Sequence, residues 1–389
     1  MIPIKYNTRN LRVRWMTTLL TVTGTGMIVW SSCLLFSLVE GLQHSMTVSG
    51  DPLDLIILRK GSTNEVNGGY TKEKADSILT LSGIARDEKG MPLAAPELLN
   101  IPVVERNDGS RTNIIIRGVS AASRALRPNF EMIPGQGHYF TPGRGECVVS
   151  RNVSKRFKGA RIGGLIKVGE KQVYRVVGLF TASGSAAESE VWVDIKDLSR
   201  DIGRVGSVSC VQLRAASQAD LERIKKTIDN ETRFKLEALR EKDFYAKQSA
   251  TGNFLKVAGT LIAVLLTIGA MFAAANTMYA AVGARTREIG TLRALGFSQF
   301  DILVSFLGES VLLCILGGAL GLLATLPLSA FSFGMSNFNT FSESTVTFRF
   351  GPLVMGVAVA MTFAMGVFGG LFPAIRAVRM DVIKALREL

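Results

Sequence analysis

Side chains able to do bond chemistry are few in this 389-residue chain, and none stands at the spacing such chemistry needs. The two histidines, His44 and His138, are remote from each other and from every cysteine, so they read as solvated or hydrogen-bonded imidazoles rather than metal ligands or catalytic bases. The strings Gly-x-x-x-x-Gly-Lys-Ser/Thr, His-Glu-x-x-His, Gly-x-Ser-x-Gly and Cys-x-x-Cys are all absent. Gly135, Gly137, Gly143 and Gly145 cluster, but no helix with a Lys and Ser pair follows, which makes them turn glycines instead of a phosphate cradle. Two features remain. One is a basic, helix-competent string, RTREIGTLRALGFSQFD, at residues 285–301, in which Leu292, Leu295 and Gly296 share a helical face and Arg285 and Glu288 stand at i,i+3. An apolar ridge with charged flanks suits docking into a groove. The other is Glu309, the one carboxylate inside a long apolar run, for which a structural role, accepting hydrogen bonds from Asn276 or Thr277, outweighs a place on an ion pathway.

Four apolar segments must position these residues. Thr17–Val39 and Pro352–Ile375 are uncharged, and 254–284 and 302–333 flank the basic string. Each exceeds the roughly 20 residues that cross a bilayer at about 1.5 Å per residue. The pattern predicts an α-helical membrane protein with four transmembrane helices and a large α+β extracytoplasmic domain, residues 40–253, inserted between the first and second. Residues 1–16 carry Lys5, Arg9, Arg12 and Arg14, the 285–301 loop carries Arg285, Arg287 and Arg293, and the 376–389 tail carries Arg376, Arg379, Lys384 and Arg387, whereas the short 334–351 loop has Arg349 alone. The positive-inside rule then puts both termini and the 285–301 segment in the cytoplasm. The first span is too long for a cleaved signal core and no small-x-small site follows it, so it is expected to stay as an anchor.

Those short loops account for much of the net charge of +13, since residues 40–253 hold 32 Lys and Arg against 26 Asp and Glu, an excess of only six over 214 residues. No Lys/Arg block with interleaved aromatics occurs in 40–253, which argues against nucleic acid as a partner. Cys33 and Cys314 lie within spans and read as small packing residues. Cys147 and Cys210 lie in the outer segment, where a disulfide is permitted; a Cys147–Cys210 bridge is possible, because spacing alone does not fix their separation. The outer segment predicts strands at Leu53–Leu58, 101–105 and Asn113–Gly118, a helix over 71–81 with Thr71 as N-cap, and an amphipathic helix over 218–233. Short alternating runs between about 134 and 197 predict a β-rich module inserted into an α/β one. Ser207–Leu213 and Phe234–Leu236 predict further strands, and 240–251 a helix running into the second span. Gly317 with Gly321 and Gly366 with Gly370 stand at the spacing that permits close helix crossings in lipid.

Residues 274–323, AANTMYAAVGARTREIGTLRALGFSQFDILVSFLGESVLLCILGGALGLL, resemble the signature region of MacB/FtsX-type ABC transporter permeases. The stretches RNLRVRWMTTLLTVTGTG and PAIRAVRMDVIKALREL resemble that family's two ends, and 40–253 is similar in layout to its MacB-like periplasmic core. The resemblance implies that residues 285–301 form a coupling helix seated on a separate ABC ATPase subunit, with Arg287, Glu288, Gly290, Arg293, Ala294, Leu295 and Gly296 matching the motif and Leu292 completing the ridge. It further implies a bacterial inner-membrane permease acting by mechanotransmission, a second permease copy in a homodimer or paralogue heterodimer, a periplasmic adaptor of the membrane-fusion kind, and contact with membrane lipid. No cofactor is expected on this chain; ATP and Mg belong to the partner ATPase, since no Walker motif is present. The tail reads Met380-Asp381-Val382 where the family often has a proline. Lipoprotein-releasing permeases and FtsX-like regulators of cell-wall hydrolases share the layout and stand as alternatives to export.

Overall fold

The computed structural model describes residues 15–48, 50–168, 172–248, 250–336 and 342–380. Residues 1–14 of the expected basic N-terminus, and the 381–389 part of the tail with its Asp381-Val382, lie outside the described residues. In chain order the elements are α1 (Trp15–Val48), β1 (Asp54–Arg59), β2 (Tyr70–Thr71), α2 (Lys72–Leu79), β3 (Ala94–Asn100), β4 (Val103–Glu105), β5 (Arg111–Asn113), β6 (Ile115–Val119) and α3 (Ala121–Ala125). Then follow β7 (Glu131–Gly137), β8 (Glu146–Ser150), α4 (Arg151–Arg156), β9 (Leu165–Val168), β10 (Gln172–Thr181), β11 (Glu190–Asp194), α5 (Ile195–Asp201), β12 (Ser207–Val208), β13 (Cys210–Arg214), α6 (Gln218–Asn230), β14 (Leu236–Arg240) and α7 (Glu241–Gln248). The chain closes with α8 (Ala250–Gly283), α9 (Thr286–Ala294), α10 (Gln299–Thr325), β15 (Ser332–Ser336), β16 (Glu343–Thr347) and α11 (Pro352–Val378). It divides into two compact units, one holding residues up to Gly41 with Gly252–Phe331 and the segment from Phe348, the other Leu42–Thr251 with Ser332–Thr347.

In the first unit α1, α8, α10 and α11 are each long and apolar enough to cross a membrane. Glycine lets them approach: a Cβ on Gly317 or Gly321 of α10 would strike Thr25 or the Gly26 carbonyl of α1, and one on Gly366 or Gly370 of α11 would strike Val311 or Ser310 of α10. Val29, Cys33, Cys314, Ala358, Met361 and Met365 fill the space between the helices. The third span is shorter than the 302–333 expected, because Pro327 cannot continue a regular helix; α10 gives way to a 3₁₀ turn over Leu326–Ala330. The expected short loop 334–351 instead contributes to a hairpin, β15–β16, that belongs to the second unit. There Glu343 is buried against Arg106 and Arg156, and the Thr345 N–H donates to Ser189 Oγ at 2.6 Å.

The second unit is built on one ten-stranded sheet in the order β14-β1-β13-β3-β6-β11-β8-β10-β7, with β9 paired to β10. The expected self-contained β-rich module at 134–197 is corrected by this order: β11 pairs parallel with β6, so the later strands extend the same sheet. More than one core nevertheless forms among the described residues, one of them around Val119, Phe130, Phe180 and Trp192. Leu55, Ile57, Val211 and Leu213 pack under α6, whose Leu221, Ile224 and Ile228 share one face. Leu98, Ile116, Val149, Phe157 and Val191 make another core, so the β-rich lobe begins near β3 and not at residue 134. The strand expected over 207–213 is split, since β12 leaves the main sheet to pair with β2, and the last strand begins at Leu236 where 234–236 was expected. Thr71 is the N-cap residue of α2 but makes no side-chain cap bond.

The same unit carries a buried ionic cluster. Arg117, 2% exposed, donates from Nε and Nη2 to Glu190, from Nη1 and Nη2 to Glu65, and from Nη1 to Glu97, while Arg127 forms a two-point pair with Glu97 at 2.6 and 2.9 Å. The possible Cys147–Cys210 bridge is not formed: both thiols are free and buried, Cys147 on β8 and Cys210 on β13, four places apart in the strand order. At about 4.8 Å per strand that is roughly 19 Å, far beyond the reach of a disulfide.

Candidate functional site

The 285–301 segment forms a short helix held from both sides within the first unit. α8 ends at Gly283, Arg285 occupies the N-cap of α9 and the Ile289 N–H returns to the Arg285 carbonyl at 3.0 Å. At the other end Gly296 adopts φ +93°, the Gly296 N–H bonds the Arg293 carbonyl at 3.1 Å and the Phe297 N–H bonds the Leu292 carbonyl at 3.2 Å. This is a Schellman closure, which glycine permits because it has no Cβ to oppose the left-handed backbone. Ser298 then starts α10 with a reciprocal cap: its Oγ accepts from the Asp301 N–H at 3.1 Å, and its own N–H donates to Asp301 Oδ2 at 3.1 Å. The Gly296-Phe297-Ser298 turn is therefore fixed by its residues.

Two arginines tie α9 to its neighbours. Arg285 donates from Nη1 to Glu309 Oε2 at 2.8 Å and from Nη2 to Glu309 Oε1 at 3.0 Å, with both side chains 5% exposed. This corrects the expected partners of Glu309: Asn276 is exposed on α8, and both carboxylate oxygens are taken by Arg285. Arg293 donates from Nη1 to the Val378 and Met380 carbonyls at 3.1 and 3.2 Å, where α11 ends and its last carbonyls lack helical partners. Ile289 completes the clamp by packing with Met278, Val282, Ile302, Phe306 and Ala377.

The motif residues divide by face. Gly290 is buried with Ile289 on the anchoring side, and Leu292 and Arg293 are half-buried. Arg287, Glu288, Ala294, Leu295 and Gly296 face outward, with Leu295 72% exposed and Phe300 of α10 71% exposed beside the turn. Phe300 was not singled out in the sequence; its place one residue before the capping Asp301 was the available signal. The outward surface can dock but not react, as it has a carboxylate, an arginine and two large apolar side chains with no nucleophile or base pair among them.

In the second unit the carboxylates of Glu65 and Glu97 approach the Cys210 thiol. Arg117 and Arg127 already occupy those carboxylates, and burial pushes the Cys210 thiol well above its ordinary value, so the group is a salt-bridged cluster and a poor metal cage.

Fold and site together define the chain as a polytopic α-helical membrane protein with a large mixed α/β domain inserted after its first span. Residues 18–231 match the MacB-like periplasmic core domain and residues 260–382 the FtsX-like permease C-terminal domain. The chain belongs to the MacB/FtsX-type ABC transporter permeases. It is 27% identical over 95% of its length to the macrolide export ATP-binding/permease protein MacB of Shewanella sp. (strain ANA-3), and 36% identical over 32% of its length to the protein of that name from Chromobacterium violaceum. It spans 58% of the first relative's length and 18% of the second's. Among solved structures, the periplasmic region of MacB from Actinobacillus actinomycetemcomitans aligns with 54% of this chain and 98% of its own at 8% identity and a TM-score of 0.38. The extracellular domain of the noncanonic ABC-type transporter YknZ from Gram-positive bacteria aligns with 48% of this chain and 99% of its own at 14% identity and a TM-score of 0.36.

Proposed function

We propose that this chain is the membrane-spanning subunit of a bacterial inner-membrane ABC exporter, driven by ATP and Mg bound on a separate ATPase subunit. In this reading both termini and α9 are cytoplasmic, α9 is the coupling helix, and the outward surface of Arg287, Glu288, Ala294, Leu295 and Gly296 seats in a cleft of the ATPase. The observation that carries the reading is the double clamp. Arg285 joins α9 to α10, Arg293 joins it to the end of α11, and Ile289 packs among residues of α8, α10 and α11, so a push on Leu295 reaches three spans. A helix tied this way transmits displacement because packed interfaces move as units.

The power stroke then passes to the inserted domain as mechanotransmission, with cargo leaving through a periplasmic adaptor. A half-transporter of four spans calls for a second copy, and the exposed apolar residues of α8, among them Val257, Leu261, Leu265 and Phe272, supply surface for that copy or for lipid. The test is Leu295→Glu in the assembled complex. Membrane insertion is expected to be normal and ATP-dependent transport to be lost; transport at the wild-type rate overturns the assignment.

A further inference from the structure

The inserted domain contains a cavity of about 130 Å³ that the coupling reading does not use. Its wall includes Asp54, Glu190, Glu241 and Tyr245, all more than nine-tenths buried, together with Asp51 and the apolar Phe130. The nearby guanidiniums are spent. Arg117 is directed at Glu65, Glu97 and Glu190, Arg127 at Glu97, and Arg214 at Asp54 through two bonds of 2.7 and 2.8 Å and at Asp51 across 3.4 Å. Six carboxyl groups therefore surround three arginines, and Glu241 is the one without a cationic partner. Among the described residues it accepts from the Asp51 N–H and Gln212 Nε2, each at 3.3 Å.

A second observation points the same way. Tyr245, one helical turn after Glu241 on α7, lines the cavity at 6% exposure, and its hydroxyl has no hydrogen-bond partner among the described residues. That hydroxyl is not fully buried and keeps some accessible surface, so it is available to an occupant. An anion finds no free cationic donor here. A divalent metal finds too few free oxygens, because Asp54 and Glu190 already hold arginines through both of theirs. An ammonium group is a donor only, and Glu241 and Tyr245 supply acceptors for it, with Asp51, whose oxygens already face the Leu53 N–H and Arg214, adding negative field.

We propose that this cavity binds a small primary alkylammonium, its nitrogen held by Glu241 and Tyr245 in the field of Asp51 and Asp54 and its alkyl part against Phe130. The groups facing Glu241 are Asp51 and Asp54 at the start of β1, Glu65 after it, Gln212 and Arg214 on β13, and Arg127 after α3. Burial first, and the Asp54 carboxylate second, push the Glu241 carboxyl up to about 8. An arriving cation favours the ionised form, so binding expels a proton below that pH.

The test is calorimetric titration of the full chain in lipid nanodiscs with n-butylammonium chloride, with n-butanol as the neutral control. Saturable binding at one per chain is expected, with close to one proton released at pH 7 as read from two buffers of different ionisation enthalpy. Affinity should rise nearly tenfold per pH unit between 6 and 7.5 and level above 8. Glu241→Gln should lose at least tenfold in affinity and the pH dependence, and Tyr245→Phe should lose a few-fold while keeping proton release. Absence of saturable binding, equal binding of n-butanol, or an unchanged pH profile in a folded Glu241→Gln protein overturns the proposal. No ATPase enters the measurement, so its outcome is independent of the coupling reading.

Discussion

Arg285 and Glu309 form a two-point ion pair, at 2.8 and 3.0 Å, that joins the start of α9 to the middle of α10 with both side chains 5% exposed. Breaking one side of such a pair strands a buried charge, which costs about 3–5 kcal/mol, whereas replacing both partners by apolar residues is close to neutral. Glu309→Ala is thus expected to lower the unfolding midpoint of the detergent-solubilised protein sharply. The Arg285→Met/Glu309→Met double variant should recover most of that loss while still impairing ATP-driven transport, because the fastening of α9 to α10 is gone. A double variant no more stable than Glu309→Ala would show that the pair is not what holds the helix.

Arg293 makes a different attachment, to backbone carbonyls at the end of α11. A lysine keeps the charge but presents a compact ammonium on a flexible stem in place of the rigid fork. Arg293→Lys is expected to cost up to about 1.5–3 kcal/mol of stability, the range of a hydrogen bond to a charged group. It should also reduce transport several-fold with the ATPase still bound on pull-down. If Arg293→Lys releases the ATPase instead, the residue contacts the partner and does not anchor α11.

Two buried carboxyls set opposite limits on pH stability. Glu241 is pushed up to about 8 by burial and then by Asp54. Its native state keeps a proton that the unfolded chain gives up near the ordinary value of about 4.3, so its contribution is complete below that value, declines as pH rises and is gone at about 8. Burial alone would raise Glu97, but Arg127 and Arg117 outweigh it and hold Glu97 down to about 2, so its contribution is present above about 4.3 and is lost as pH falls toward 2. With respect to these two groups, thermal unfolding of the full chain should therefore show its highest midpoint near the shared unfolded value of about 4.3. Glu241→Gln should flatten the limb between pH 5 and 8 and leave the acid limb intact; an unchanged alkaline limb would mean that Glu241 is ionised in the folded protein.

The four spans were legible because a bilayer imposes a length and a polarity that composition alone satisfies. The shared helical face expected of Leu292, Leu295 and Gly296 is corrected, because the helix stops at Ala294 and Gly296 turns the chain with a left-handed backbone. The partner of Glu309 was not legible. Arg285 had a neighbour at i,i+3 in Glu288, and only tertiary packing brings it to a residue 24 positions away. Sheet order failed for the same reason. β11 joins β6 across more than 70 residues, and a buried strand such as β3, Ala-Ala-Pro-Glu-Leu-Leu-Asn, has no alternation to betray it. Glu97 within β3 reads as surface charge until Arg117 and Arg127 are placed around it.

The separation of Cys147 and Cys210 makes a prediction about redox behaviour. Both are fully buried on strands about 19 Å apart in the sheet, and burial raises both thiols, so neither thiolate is available at neutral pH. Cys33 and Cys314 are buried as well. In the folded full chain a thiol-reactive maleimide should label none of the four within minutes. Guanidinium without reductant should expose all four, and dithiothreitol should change neither the unfolding midpoint nor the gel mobility. A count of two thiols in unreduced guanidinium, restored to four by reductant, would place a disulfide where the sheet order leaves about 19 Å between the strands, and the pairing of β3 with β13 and β6 would then have to be redrawn.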